Sequence, residues 1–156
     1  MNKLPLFPAS IIGSMPRPAF VQELMQQSDS YSEEEYRRLL GSSIRYVVAL
    51  QEAAGLDVLS DGEWWRKSYI GVIAELAHGF QLSQNPADGR PWTIVVDKLS
   101  PKQPGFIAQE VAFLKQLTGQ AIKATLPAPA LLGERMWDPQ LSAQAYPCLL
   151  YTSPSP

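Results

Sequence analysis

Leu56-Asp57-Val58-Leu59-Ser60-Asp61-Gly62-Glu63 runs from a short, mostly apolar segment into two carboxylates flanking a glycine. Residues 56–60 read as a strand, and Asp61-Gly62-Glu63 as the polar turn that stops it. The preceding Gly55 is a natural residue for ending a helix in the left-handed conformation. The helix it ends starts at Ser32-Glu33-Glu34-Glu35, a capping box in which Ser32 bonds forward and Glu35 bonds back. Tyr36, Leu39, Leu40, Ile44, Val47 and Val48 then recur at helical spacing. A long helix leading into a short strand with a polar end is the repeating unit of an α/β fold.

The same unit extends in both directions. Ala9 to Gly13 reads as an earlier strand, followed by the turn Ser14-Met15-Pro16-Arg17-Pro18 and a helix from Pro18 to Gln27. Downstream, Tyr69 to Ala77 is expected to be helical and to close at His78-Gly79, with His78 a helix-end residue favoured by the dipole. Asn85 to Pro91 is dense in turn formers and marks a loop. Trp92 to Val96 is a third strand reaching Asp97 and Lys98, Phe106 to Leu117 a helix, and Ile122 to Leu126 a fourth strand. Strands near 9–13, 56–60, 93–97 and 122–126 are expected to pair in parallel through right-handed crossovers. Ser14, Asp61, Glu63, Asp97 and Thr125 cluster at strand ends, where both barrels and doubly wound sheets build their sites.

Composition narrows the function classes. With 46% hydrophobic and 18% charged residues, the 156-residue chain has the means to fold around a core. A net charge of −2 leaves no basic footprint for nucleic acid. No apolar run approaches the length of a bilayer span, and the opening Met1 to Pro8 has no apolar core of a signal peptide. One cysteine, Cys148, excludes an internal disulfide, so a cytoplasmic small-molecule protein is the default expectation. Catalytic zinc takes three protein ligands, and one His (His78) with one Cys offers no soft site.

Two stretches carry a family resemblance. Ile11-Ile12-Gly13-Ser14-Met15-Pro16-Arg17-Pro18 resembles the opening I-G-S-[FL]-P-R-P of the catalytic barrel of cobalamin-independent methionine synthases and their short relatives. Gln51 to Glu63 resembles the Q-x-x-x-G-L-D-V-[LV]-x-[DH]-G-E block that follows it, with Asp61 where the family often has His. The resemblance covers Leu6 to Pro147. It implies a (β/α)₈ TIM-type barrel of which residues 1–147 are the first half, since eight strands take roughly 250 residues. It also implies a zinc-dependent methyltransferase of the 5-methyltetrahydropteroyltriglutamate–homocysteine type, moving a methyl or alkyl group to a thiol such as homocysteine. Carried over by position, Ile12, Gly13, Ser14 and Glu63, with Asp61 beside them, are the implied substrate-binding residues. Ser14 and neighbouring N–H groups would take the carboxylate, and Glu63 the α-ammonium. The implied zinc ligands fall beyond Pro147, so this chain is expected to hold substrate without catalysing. The methyl donor is open: the folate-binding Thr-Gly-Pro-Val-Thr stretch is replaced by Leu126 to Glu134, with Trp137 three residues late.

Other readings stay open on residues alone. Gly13-Ser14 and Asp61-Gly62-Glu63 also suit plain turns, and Arg17 suits either an anion or the surface. Trp64 and Trp65 suit a stacking wall or a structural cover, the cover being preferred. A uroporphyrinogen-decarboxylase-like lyase barrel would need Arg17 and Arg66 to converge on the mouth. A non-catalytic α/β binding domain would leave two sheet edges to cover. Residues 148–156 show no period, are similar to a translated sequencing adapter, and are expected to be unrelated to residues 1–147. A genuine Ser/Pro-rich tail is the alternative.

Overall fold

The computed structural model describes residues 4–66, 71–84, 89, 91–102, 104–128, 130, 133 and 135–147. The expected helix start at Tyr69, most of the 85–91 loop, Glu134 and the whole 148–156 tail lie outside these. The chain is mixed α/β and divides into two compact units.

The first unit draws on residues 4–66 and 105–125. Helix α1 (Ala19–Gln26) starts after Pro18, whose carbonyl accepts from the N–H groups of Val21 and Gln22. Helix α2 (Glu33–Ala53) begins as the sequence indicates, with the Ser32 side chain accepting from the Glu35 N–H at 3.2 Å. It ends before Gly55, at φ +75°. Strand β1 (Val58–Leu59) follows at once. Helix α4 (Phe106–Leu117) leads into β4 (Ala121–Ile122), which pairs with β1 in parallel, Val58 against Ala121 and Leu59 against Ile122. Ser10 bridges Val58, also in parallel. Three chain segments therefore lie side by side with β1 central, and their C-terminal ends share one edge.

The core of this unit is Val21, Met25, Ile44, Val47, Val48, Leu59, Trp64 and Leu114. Ile44, Val47 and Val48 are the α2 residues at helical spacing, so the amphipathic stripe read from sequence is the face that packs. The strand expected over residues 9–13 shrinks to the single bridge at Ser10. The chain leaves extended geometry by Gly13, at φ +72°, and only Ala9 and Ser10 reach β1. The Ala9 carbonyl accepts from the N–H groups of Asp57 and Val58.

The second unit, from residues 71–104 and 126–147, corrects the sequence expectation. A one-turn helix α3 (Val72–Leu76) passes directly into strand β2 (Ala77–Gln84), which pairs with β3 (Pro91–Pro101) in an antiparallel hairpin. The strand expected near 93–97 is present, but it is longer and runs antiparallel to β2, a strand over Ala77–Gln84 that the sequence does not announce. Helix α3 lies within the helix expected over 69–77. Asp97 and Lys98 sit inside β3, not at its end, and His78 is an exposed strand residue opposite Ser100. Gly79 explains the difference. At φ +95° a Cβ there would lie 2.8 Å from the carbonyl oxygens of Asp97 and Lys98. This glycine therefore serves a β-bulge between His78 and Phe80, not a helix end. A final helix, Leu141–Ala145, buries Ser142, whose hydroxyl donates to the Val95 carbonyl at 2.5 Å. No helix among the described residues is long and apolar enough to cross a membrane.

Candidate functional site

The shared strand edge of the first unit is where the two sequence motifs meet. The exit of β1 is fixed by Gln51 of α2. Its amide donates to the carbonyls of Val47 and Ser60 and accepts from the Ser60 N–H at 3.0 Å. Ser60 Oγ then accepts from the Gly62 N–H, and Asp61 Oδ1 from the Glu63 N–H. Gly62 and Glu63 follow each other at φ +64° and +61°. Glu63 is the one non-glycine residue with positive φ among the described residues, a conformation that costs about 1–2 kcal/mol. Such strain persists only where surrounding contacts enforce it, and it concentrates at functional positions.

The first motif docks on this turn through Met15. Its N–H donates to the Gly62 carbonyl at 3.1 Å, and its carbonyl accepts from Trp64 Nε1 at 3.1 Å. Residues 14–15 and 62–63 are thus immediate neighbours across the edge. Arg17 Nη2 donates to the carbonyls of Glu63 (2.9 Å) and Arg66 (2.6 Å), while its buried Nε has no partner. Ile12 is 96% exposed, and Gly13 and Ser14 are also exposed. Lys123 anchors the approach to them by donating to Ser10 Oγ at 2.9 Å and to the Ile11 carbonyl. Asp61 and Glu63 are buried, with 8% and 6% of their surface left. A solvated turn would leave both open to water.

Behind them lies an ion pair that no local sequence signal marks. The Arg66 guanidinium, 2% exposed, binds Glu110 of α4 through Nε (3.2 Å) and Nη2 (2.5 Å), and its Nη1 donates to the Thr125 carbonyl at 2.7 Å. Burial alone would lower the Arg66 pKa, but the Glu110 hydrogen bond and charge reverse this and hold it further up. Thr125 closes the loop by donating its hydroxyl to Glu63 Oε1 at 2.9 Å. Arg66 therefore spends its donors inside the fold and Arg17 Nη2 is taken up by backbone carbonyls, whereas a carboxylated tetrapyrrole would need both guanidinium groups turned to a mouth. Trp64 is core, 1% exposed, and Trp65 packs edge-on against Phe113 with ring centroids 5.2 Å apart. Both tryptophans therefore have packing roles within the first unit. Asp97 is exposed in the second unit and accepts from the Lys98 N–H. Among the described residues no group of three or more His, Cys, Asp or Glu could hold a metal ion, so the implied zinc does not fit the described residues.

Burial pushes the Asp61 carboxyl above its ordinary range, against the pull of the Glu63 N–H and the Arg66 charge. With the folded value raised, its contribution to stability is full below the unfolded value of 3.8 and is lost as pH rises through the folded value. Asp61→Asn keeps an oxygen for the Glu63 N–H and removes the charge. It is expected to stabilise the chain at pH 7 by on the order of 1 kcal/mol and to flatten the decline above pH 4. Thermal melts across pH check this. Identical melting at pH 7 would contradict it.

Comparison with known proteins identifies the family. Residues 7–131 match the family model for the catalytic domain of cobalamin-independent synthase. A 5-methyltetrahydropteroyltriglutamate–homocysteine methyltransferase of Thermotoga petrophila is 33% identical over 136 residues, covering 81% of this chain and 18% of that protein. A methionine synthase of Saccharolobus solfataricus is 29% identical over 144 residues, covering 86% of this chain and 42% of that one. The chain thus spans less than half the length of either relative. A solved B12-independent methionine synthase from Shewanella sp. W3-18-1 superposes with a TM-score of 0.67 at 23% identity, covering 85% of this chain and 41% of that one. The match takes in both stretches that carried the resemblance, Ile11 to Pro18 and Gln51 to Glu63, and the chain belongs to the cobalamin-independent methionine synthase family.

Proposed function

We propose that this chain carries the amino-acid-binding edge of a methyltransferase that methylates a small thiol, homocysteine in the first instance. In this reading the first unit supplies neighbouring strands of a (β/α)₈ barrel, and their shared C-terminal edge is its mouth. The observation that carries the proposal is Glu63, a buried carboxylate held in a strained backbone conformation beside the Ser14-Met15 turn. Glu63 takes the substrate ammonium, Ser14 and its neighbouring N–H groups take the carboxylate, and Ile12, Gly13 and Asp61 shape the surroundings. The partner is a small molecule in the cytoplasm. Zinc, where the whole protein uses it, is held by residues other than those described, and no step through a metal is assigned to this chain.

The test is binding of L-homocysteine to the chain by titration calorimetry. Glu63→Gln is expected to weaken it by about 1.5–3 kcal/mol, the worth of a hydrogen bond to a charged group. The desamino analogue 4-mercaptobutanoate should bind wild type and Glu63→Gln alike, because the partner of Glu63 is then missing from the ligand. Undiminished homocysteine binding by Glu63→Gln would overturn the assignment.

A further inference from the structure

A carboxylate meant to meet a ligand with one oxygen needs its other oxygen held. The terminal torsion of a glutamate is broad and selects no orientation by itself. Around Glu63 the holding groups come from distant parts of the chain. Arg17 fixes its carbonyl at 2.9 Å, and the Thr125 hydroxyl fixes its Oε1 at 2.9 Å. Both supports meet at Arg66. The Arg66 carbonyl accepts from Arg17, and its guanidinium grips the Thr125 carbonyl while Glu110 grips the guanidinium. The hydroxyl sits on a β-branched side chain, which restricts χ1 and so the direction from which it donates.

We propose that Thr125 is a positioning residue for substrate recognition. By occupying Oε1 it turns Oε2 of Glu63 toward the α-ammonium of an amino acid, with the Arg66–Glu110 pair keeping Thr125 in register. This rests on the reading of Glu63 as the ammonium partner. It extends that reading to a residue that touches no substrate. Preorganisation of this kind raises affinity by removing an ordering cost that the ligand would otherwise meet on binding.

The experiment compares Thr125→Val, which keeps the branched shape, with Thr125→Ser, which keeps the hydroxyl. Thr125→Ala serves as a second hydroxyl-free variant. L-homocysteine is the probe, and the side-chain carboxylate ¹³C resonance of Glu63 is followed by NMR. The dissociation constant is expected to rise about tenfold in Thr125→Val and to return within about twofold of wild type in Thr125→Ser, as loss and recovery of one hydrogen bond would give. The Glu63 resonance should move in the hydroxyl-free variants and return with serine. A space-filling role would shift the melting temperature without this pattern. Wild-type affinity in Thr125→Val, or an unmoved resonance in the hydroxyl-free variants, overturns the proposal. If wild type binds no homocysteine while the resonance still moves with valine and returns with serine, the positioning role stands and the substrate reading falls.

Discussion

Arg66→Ala is expected to cost the fold about 3–5 kcal/mol, because it strands the Glu110 carboxylate in a site that is 6% exposed. Burial already pushes the Glu110 carboxyl up from its ordinary range, and the Arg66 hydrogen bond and charge pull against that. Removing the guanidinium removes the pull and also frees the Thr125 carbonyl. The sign of the pH dependence follows. In the variant the folded Glu110 value rises further above the unfolded one, so the penalty is small at acid pH and grows as pH rises through the folded value. Urea unfolding should therefore show a larger difference from wild type at pH 7 than at pH 4. The double variant Arg66→Met/Glu110→Leu should recover most of the loss, since apolar pairs of similar volume often replace buried ion pairs without penalty. A loss below about 1 kcal/mol in Arg66→Ala would show that water reaches Glu110 and that the pair is dispensable.

That pair also marks where sequence reading stops. The elements legible from sequence have local signals: the Ser32 cap, the Gly55 terminus, the apolar stripe of α2 and the short apolar run over 56–60, of which Val58 and Leu59 form β1. Each signal lies within a few residues of what it determines. Arg66 and Glu110 are 44 residues apart and, taken singly, look like any two solvated charges. Thr125 was visible as a polar strand end, but its partner, 62 residues away, was not. The β2–β3 hairpin was missed for a related reason. The helix expected over Tyr69 to Ala77 is present at Val72–Leu76, but His78-Gly79 opens a strand instead of closing a helix, and a bulge glycine looks the same in sequence as a helix-ending one. Only the carbonyls of Asp97 and Lys98 across the ladder distinguish them. The candidate site was half legible. Asp61-Gly62-Glu63 stood out as a motif, but its burial depends on groups folded over it from elsewhere in the chain.

Trp64→Ala is expected to be about as costly as Arg66→Ala, at about 3–5 kcal/mol, for a different reason. The indole is 1% exposed and packs in the cluster with Val47, Leu59 and Leu114, so truncation opens a cavity the size of an aromatic side chain. Trp64→Phe separates packing from hydrogen bonding. It keeps most of the apolar body but removes the Nε1 donor from the Met15 carbonyl. Its cost should fall to about 1–3 kcal/mol, the usual penalty for an orphaned polar group with partial burial. The functional consequence should be larger than the stability loss suggests. Met15 is bracketed by two bonds to the Asp61–Trp64 turn, and losing one lets the Ser14 segment shift against Glu63. Homocysteine affinity in Trp64→Phe should therefore drop at a temperature where the variant is still fully folded. Binding equal to wild type would mean that the Met15 N–H bond to Gly62 holds the two motifs in register alone.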